Sequence, residues 1–224
     1  SAGHEVQDLC TNEIAAQINS LDVLVLMQPN NHTGVLFNHT QLHEWHAQLA
    51  ARGGWLIVDE AFIEASMQTS FAPPQMPDGL IVLRSLGKFF GLAGARVGFV
   101  LAHAELLARL RAALGPWSVA GPSRYVAQAA LLDSTWQATT RERLLRDGAR
   151  LAQLLNDASL PPAGGCGLFQ WVVTEQAYAI HQQLAQLGIY TRLFTQPRSV
   201  RFGLPGSAAE WSRLGTALKQ GHST

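Results

Sequence analysis

Ser85-Leu-Gly-Lys88-Phe-Phe-Gly-Leu-Ala-Gly-Ala-Arg96-Val-Gly98 sets one lysine in a glycine-rich turn, with a serine three residues before it and an arginine eight after. The apolar run Leu80-Ile-Val-Leu83 precedes the turn and Val97-Gly-Phe-Val-Leu101 follows it. Lys88 is therefore predicted on a loop between two buried strands. Leu86, Phe89, Phe90 and Leu92 should pack that loop inward. The pattern predicts a buried lysine whose pKa is depressed by desolvation and by the like charge of Arg96. Such an amine is a nucleophile, and Ser85 and Arg96 can hold a phosphate beside it. A nucleotide P-loop is excluded, because Val82 stands where that motif needs glycine and Phe89 stands where it needs Ser or Thr.

Working outward, Trp55-Leu-Ile-Val58 reads as a second buried strand that delivers Asp59 and Glu60 at its C-terminal tip. Leu21-Asp-Val-Leu-Val-Leu-Met27 reads as a third, leading into the turn Pro29-Asn-Asn-His-Thr-Gly34. Between them Asn38 caps a helix, with Gln41 at its third position, Gly53-Gly54 past its end, and Leu42, Trp45 and Leu49 on its inward stripe. Strands alternating with helices predict an α/β fold with a mainly parallel sheet and helices on both faces. Ligands in such folds bind at the C-terminal strand tips. Here three successive tips supply Asn31, Asp59 and Lys88.

After Leu101 the pattern changes. A helix is predicted over 105–114, a break at Gly115-Pro116, and a long helical region over 123–158. A loop over 161–165, a strand over 167–173, a helix over 175–188, strands over 189–193 and 199–203, and a helix over 208–220 complete the chain. The organisation expected is a large domain over 1–135 and a small C-terminal α+β domain over 136–224, hinged near 130–140.

Composition narrows the function classes. The 224 residues carry 16 basic and 16 acidic side chains, so the chain lacks the basic footprint of a nucleic-acid binder. No apolar run reaches membrane-spanning length and no signal-peptide pattern opens the chain, so no membrane partner and a cytoplasmic location are expected. Cys10 and Cys166 lack the spacing of a redox or zinc motif and read as reduced thiols. His39, His43 and His46 surround Glu44 at helical spacing, which reads as a solvated helix face rather than a metal site.

A nucleophilic lysine next to a phosphate cradle is what a pyridoxal phosphate (PLP) Schiff base requires. A carboxylate such as Asp59, facing the pyridine nitrogen, keeps it protonated so that the ring can accept electrons. Glu60 fits that role less well, because adjacent strand residues point to opposite faces.

Four motifs, Asn30-Asn-His-Thr-Gly34, Val58-Asp-Glu-Ala-Phe62, Ser85-Leu-Gly-Lys88 with Arg96, and Val200-Arg201-Phe-Gly, resemble those of the fold-type I PLP enzymes of the class I/II aminotransferase superfamily. The resemblance spans essentially the whole chain. It implies that Lys88 carries the cofactor and that Asp59 pairs with its ring nitrogen. It further implies that Asn31 contacts the ring hydroxyl, that Ser85 and Arg96 hold the cofactor phosphate, and that Arg201 binds a substrate anion. Arg192, on the strand containing Tyr190-Thr-Arg192, is a second candidate for substrate phosphate or carboxylate, with a plain surface residue as the alternative reading. A homodimer acting on a small amino-acid or amino-alcohol phosphate is the implied assembly.

Within the superfamily the likeness runs to histidinol-phosphate aminotransferases and to the threonine-phosphate decarboxylases of cobalamin synthesis. Arg84–Gly91, Gly115-Pro-Trp-Ser-Val119 and Phe62 resemble the decarboxylases; many aminotransferases carry tyrosine at the last position, and phenylalanine cannot donate its hydrogen bond. The implied reaction is loss of CO2 from L-threonine O-3-phosphate to give aminopropanol phosphate. Transamination of the histidinol-phosphate type is the alternative. Relatives carry a long portion ahead of a Gly3-His-Glu-Val-type strand, with a phosphate-binding helix N-terminus and a ring that stacks on the cofactor. The chain is therefore expected to be an N-terminally truncated piece, and a catalytically silent domain is a third reading.

Overall fold

Strands β1 (Val23–Met27), β2 (Trp55–Asp59), β3 (Leu80–Ser85) and β4 (Gly98–Ala102) form the first sheet, in that spatial order. The computed structural model describes residues 3–220. β1, β2 and β3 run parallel, whereas β4 returns antiparallel to β3. The return has a simple cause. Only the lysine loop joins β3 to β4, and it holds no more than a 3-10 turn at Ala93–Ala95; a parallel partner would need a full crossover.

Alternation along the strands sends Leu24, Leu26, Leu56, Val58, Leu80 and Val82 to one buried face. They meet α2 (His39–Ala50) through Leu42, Trp45 and Leu49, as its stripe predicts. The predicted capping box is present: Asn38 Oδ1 accepts from Gln41 N at 2.8 Å, and Gln41 Oε1 accepts from Asn38 N at 3.2 Å. Helix α1 (Ile14–Gln17) and the 3-10 turn Ile18–Ser20 add Ile14 and Ile18 to this core. No strand forms over the stretch 4–10. The opposite face of β1 is open: Val23 is 43% and Val25 65% exposed.

Helices α3 (Ala104–Leu114), α4 (Gly121–Leu132) and α5 (Ser134–Asp157) follow. The single helical region predicted over 123–158 is thus two helices. Asp133 leaves helical geometry at ψ 75° and its carboxylate caps α5 by accepting from Trp136 N at 2.9 Å. α3 buries no residue and α4 only Ala127, leaving Leu114, Tyr125 and Leu132 exposed.

The second sheet contains β5 (Gly164–Cys166), β6 (Phe169–Val173), β7 (Arg192–Thr195) and β8 (Arg198–Gly203), ordered β5-β6-β8-β7 and antiparallel throughout. β5 takes up part of the loop predicted over 161–165, and β7 begins three residues later than the strand predicted from 189. Val172, Val200 and Phe202 face a separate core that includes Leu184 of α6 (Ala177–Gln186) and Trp211 and Leu214 of α7 (Ala208–Gln220).

α5 joins the two halves. Leu144 near its middle packs with Leu86, Phe89 and Phe90 of the lysine loop, while Leu151 and Leu155 lie in the second core. Backbone contacts hold the same seam. Gly167 N donates to Ala65 O at 2.9 Å, and the Gly34 backbone abuts Gly165 so closely that a Cβ at residue 34 would overlap it. Gly34 also has φ +76°, so glycine is needed there for both conformation and space.

Candidate active site

β3 ends at Ser85 and turns into the lysine loop, whose buried Leu86, Phe89 and Phe90 anchor it as predicted. Ser85 Oγ accepts from Gly87 N at 3.0 Å, which shapes the turn and leaves the hydroxyl hydrogen for another acceptor. Arg96, at φ 54°, closes the loop; its exposed side chain donates to Ala93 O at 3.3 Å. The expectation of a buried lysine needs correction. Lys88 is exposed, because the apolar neighbours on both sides turn inward and direct it out of the core.

The neighbouring strand tip is built differently. Asp59, the last residue of β2, and Glu60 just beyond it point to opposite sides, as alternation requires. Asp59 is half-buried, and its Oδ1 accepts from Ala61 N at 2.9 Å, leaving Oδ2 for a further partner. Glu60 is fully buried and accepts from Phe71 N and Ser70 Oγ, both at 2.6 Å. Arg84 lies 3.6 Å from Glu60 and pairs with Glu64. Burial pushes the Glu60 carboxyl above its usual range, against the opposing pull of those hydrogen bonds and of Arg84. Glu60 is thus a structural brace behind the tip, and Asp59 is the carboxylate in front of it.

A run of side-chain contacts connects Lys88 to the second sheet. Lys88 Nζ lies 5.4 Å from the centre of the Phe62 ring. Phe62 meets Phe169 edge-on, with centroids 5.7 Å apart. The Arg201 guanidinium lies 5.2 Å from the Phe169 ring on its way to Asn31, to which its Nη1 donates. Arg201 and Trp171 are directly opposed across β6 and β8, and Arg201 and Arg192 across β7 and β8. Residues so paired share a face of the sheet. Among the described residues, none of the ion pairs includes Arg192 or Arg201. Burial, and next the Arg192 charge, lower the pKa of Arg201. Two opposed arginines without a carboxylate are unfavourable alone and suited to an anion.

The structure thus brings Lys88, Asn31 and Arg201 together through two phenylalanines, with Asp59 and Ser85 on adjoining strand tips. Arg192 is exposed and lies beyond Arg201, its guanidinium 5.8 Å from the Phe194 ring. Phe169, Trp171, Phe194 and His32 also belong to this region and were not singled out from sequence. The period-2 spacing of Phe169 and Trp171 carried part of that signal; the inward position of His32 depends on packing between distant segments. A cavity of about 240 Å³ along the seam, lined by Leu36, Ala65, Gly148, Cys166 and Gln170 among others, includes none of the predicted site residues. His39 and His46 have ordinary roles, contacting the backbone carbonyls of Thr69 and Asp78.

Residues 2–218 match the sequence profile of aminotransferase class I and II. The chain belongs to this family. It is 52% identical over 217 residues to a threonine-phosphate decarboxylase of Pseudomonas aeruginosa, covering 97% of this chain and 66% of that protein. A second threonine-phosphate decarboxylase, from a Sinorhizobium species, is 39% identical over 88% of this chain and 59% of its own length. A histidinol-phosphate aminotransferase of Staphylococcus saprophyticus is 29% identical over 86% of this chain and 55% of its own length. The chain therefore spans between about half and two thirds of the length of these relatives. In three dimensions it superposes with a TM-score of 0.77 on the histidinol-phosphate aminotransferase of Sinorhizobium meliloti solved with pyridoxal-5'-phosphate, at 24% identity, covering 92% of this chain and 59% of that one. That superposition supports the α/β family fold. Among the described residues, no helix is long and apolar enough to cross a membrane.

Proposed function

We propose that this chain carries the lysine, strand-tip and arginine parts of a PLP-dependent enzyme that decarboxylates L-threonine O-3-phosphate to aminopropanol phosphate. The observation that carries the reading is the opposed pair Arg192 and Arg201, without carboxylate partners among the described residues, connected through Phe169 and Phe62 to Lys88. A substrate bearing both a carboxylate and a phosphate would satisfy such a pair. The 52% identity to a protein named for that reaction supports the choice.

The residues present fit the cofactor by the chemistry of their donors. Lys88 offers an exposed primary amine, Ser85 an uncommitted O–H, Arg96 an exposed guanidinium, and Asp59 a half-buried carboxylate with one oxygen still unassigned. In this reading Ser85 and Arg96 hold the phosphate and Asp59 holds a proton at the pyridine nitrogen. When bound, PLP supplies an electron sink for the pair left behind as the substrate carboxylate departs as CO2. In the same reading Asn31 and Arg201 orient the substrate, and Lys88, in its ammonium form, donates a proton to the α-carbon that the CO2 has left. Phe62, 5% exposed and packed on Phe169, has no hydroxyl to donate to a cofactor ring. Its place favours decarboxylation over amino transfer.

The test adds PLP to the chain and records its visible absorbance, then measures CO2 release from threonine phosphate and amino transfer to 2-oxoglutarate. The expected outcome is an absorbance band that Lys88→Ala abolishes, with CO2 released and no keto-acid dependence. Keto-acid-dependent transfer without CO2 would reject the decarboxylase in favour of the aminotransferase. A chain that leaves the absorbance of PLP unchanged would be a silent domain.

A further inference from the structure

The face of the second sheet that carries both arginines also holds His32. Its ring stacks on Phe194 with centroids 3.9 Å apart and planes inclined by 23°, and it meets Trp171 edge-on at 5.5 Å. Phe194 lies two residues beyond Arg192 on β7, and Trp171 is the cross-strand partner of Arg201. Strand alternation puts these four side chains on one face. The turn that bears His32 is fixed as well. Thr33 Oγ1 donates to Asn30 Oδ1 at 2.8 Å, Gly34 N donates to Asn30 O at 2.8 Å, and the adjacent Asn31 accepts from Arg201.

The charged groups facing the ring are cationic. From β8 the charge of Arg201, whose guanidinium bonds the adjacent Asn31, acts on the ring, and Arg192 approaches Phe194 from β7; β6 contributes the neutral Trp171. β5 contributes glycine backbone and Cys166, a thiol whose pKa is raised by burial. Burial, and then the Arg201 charge, lower the pKa of His32. An anion seated between the arginines would cancel the second cause and attract a proton directly.

We propose that His32 is a specificity-determining third member of the anion site, taking up a proton when a dianion binds at Arg192 and Arg201. The inference rests on the reading of those arginines as the substrate-anion site. Linkage makes the effect reciprocal: an anion that raises the proton affinity of His32 is bound more tightly when His32 is protonated, by the same factor. A phosphate dianion gains more from this third charge than a carboxylate does, so His32 would favour the phosphate-bearing substrate.

Inorganic sulfate is the probe, because its charge stays constant across the range in which histidine titrates. The His32 ring resonances, assigned by their absence in His32→Gln, are followed against pH by NMR in the unmutated chain with and without saturating sulfate. The expected result is a His32 pKa about one unit higher with sulfate, equal to about tenfold tighter sulfate binding below both values than above both. Arg201→Leu should abolish that rise, which separates this site from the one at Ser85 and Arg96. A His32 pKa that does not move while the Arg192 and Arg201 side-chain resonances respond to sulfate overturns the inference and leaves the anion site standing. No response at either arginine overturns both. A rise that persists in Arg201→Leu also overturns the inference.

Discussion

Glu60 shows how a residue next to a catalytic candidate can serve a different end. Its carboxyl is buried, so the folded state binds its proton more tightly than the unfolded chain does. Its contribution to stability is then fully present below the ordinary value of 4.5 and lost as pH rises through the higher folded-state value. Glu60→Gln should therefore flatten the decline of melting temperature above pH 4.5, seen by comparing thermal unfolding of both chains from acid to neutral pH. Arg84→Met should act in the opposite sense. It leaves Glu60 and Glu64 buried beside each other without their cation. Removing one member of such a group costs about 3–5 kcal/mol, readable as a lower urea midpoint that recovers in part at acid pH. The split between Asp59 and Glu60 was legible in the sequence, since strand alternation alone separates them. The exposure of Lys88 was not: its apolar neighbours predicted burial of the whole loop, whereas their own burial is what turns the lysine outward.

At the scale of elements, the helix that follows β1 depends on its cap. Asn38→Ala removes the acceptor for Gln41 N and should cost about 1 kcal/mol, measured by urea unfolding. The turn before it depends on Gly34. An alanine there must adopt φ +76° and overlap the backbone of Gly165. Left-handed strain alone costs about 1–3 kcal/mol, so Gly34→Ala should destabilise by at least that much and loosen the contact between the sheets. Hydrogen exchange should then quicken at the amides of residue 34 and Gly167, which bond beside and across the seam. The capping box was readable because all its partners lie within four residues. The glycine contact was not, since residues 34 and 165 are brought together only by the packing of separate sheets.

At the scale of the whole molecule, apolar side chains stand exposed on the open face of β1, on α4 and in the turn between α3 and α4. Val25 is 65%, Leu132 74% and Trp117 90% exposed. Apolar surface of this kind promotes association. The sedimentation coefficient of the chain should rise with concentration, and Val25→Lys should reduce that rise without lowering the melting temperature, because Val25 contributes nothing to the buried core.

The sequence by itself determined the order of β1, α2, β2, β3 and β4, the lysine loop between the last two, and the placement of Asn31, Asp59 and Ser85 at or just beyond strand ends, because each rests on periodicity or on a turn between near neighbours. It also carried the family, through motifs that need no third dimension to be read. Tertiary structure decided the antiparallel return of β4, the outward lysine, the pairing of Arg201 with Asn31, and the seat of His32 against Phe194 and Trp171. These last contacts join residues more than a hundred positions apart, and no local pattern specifies which distant faces meet.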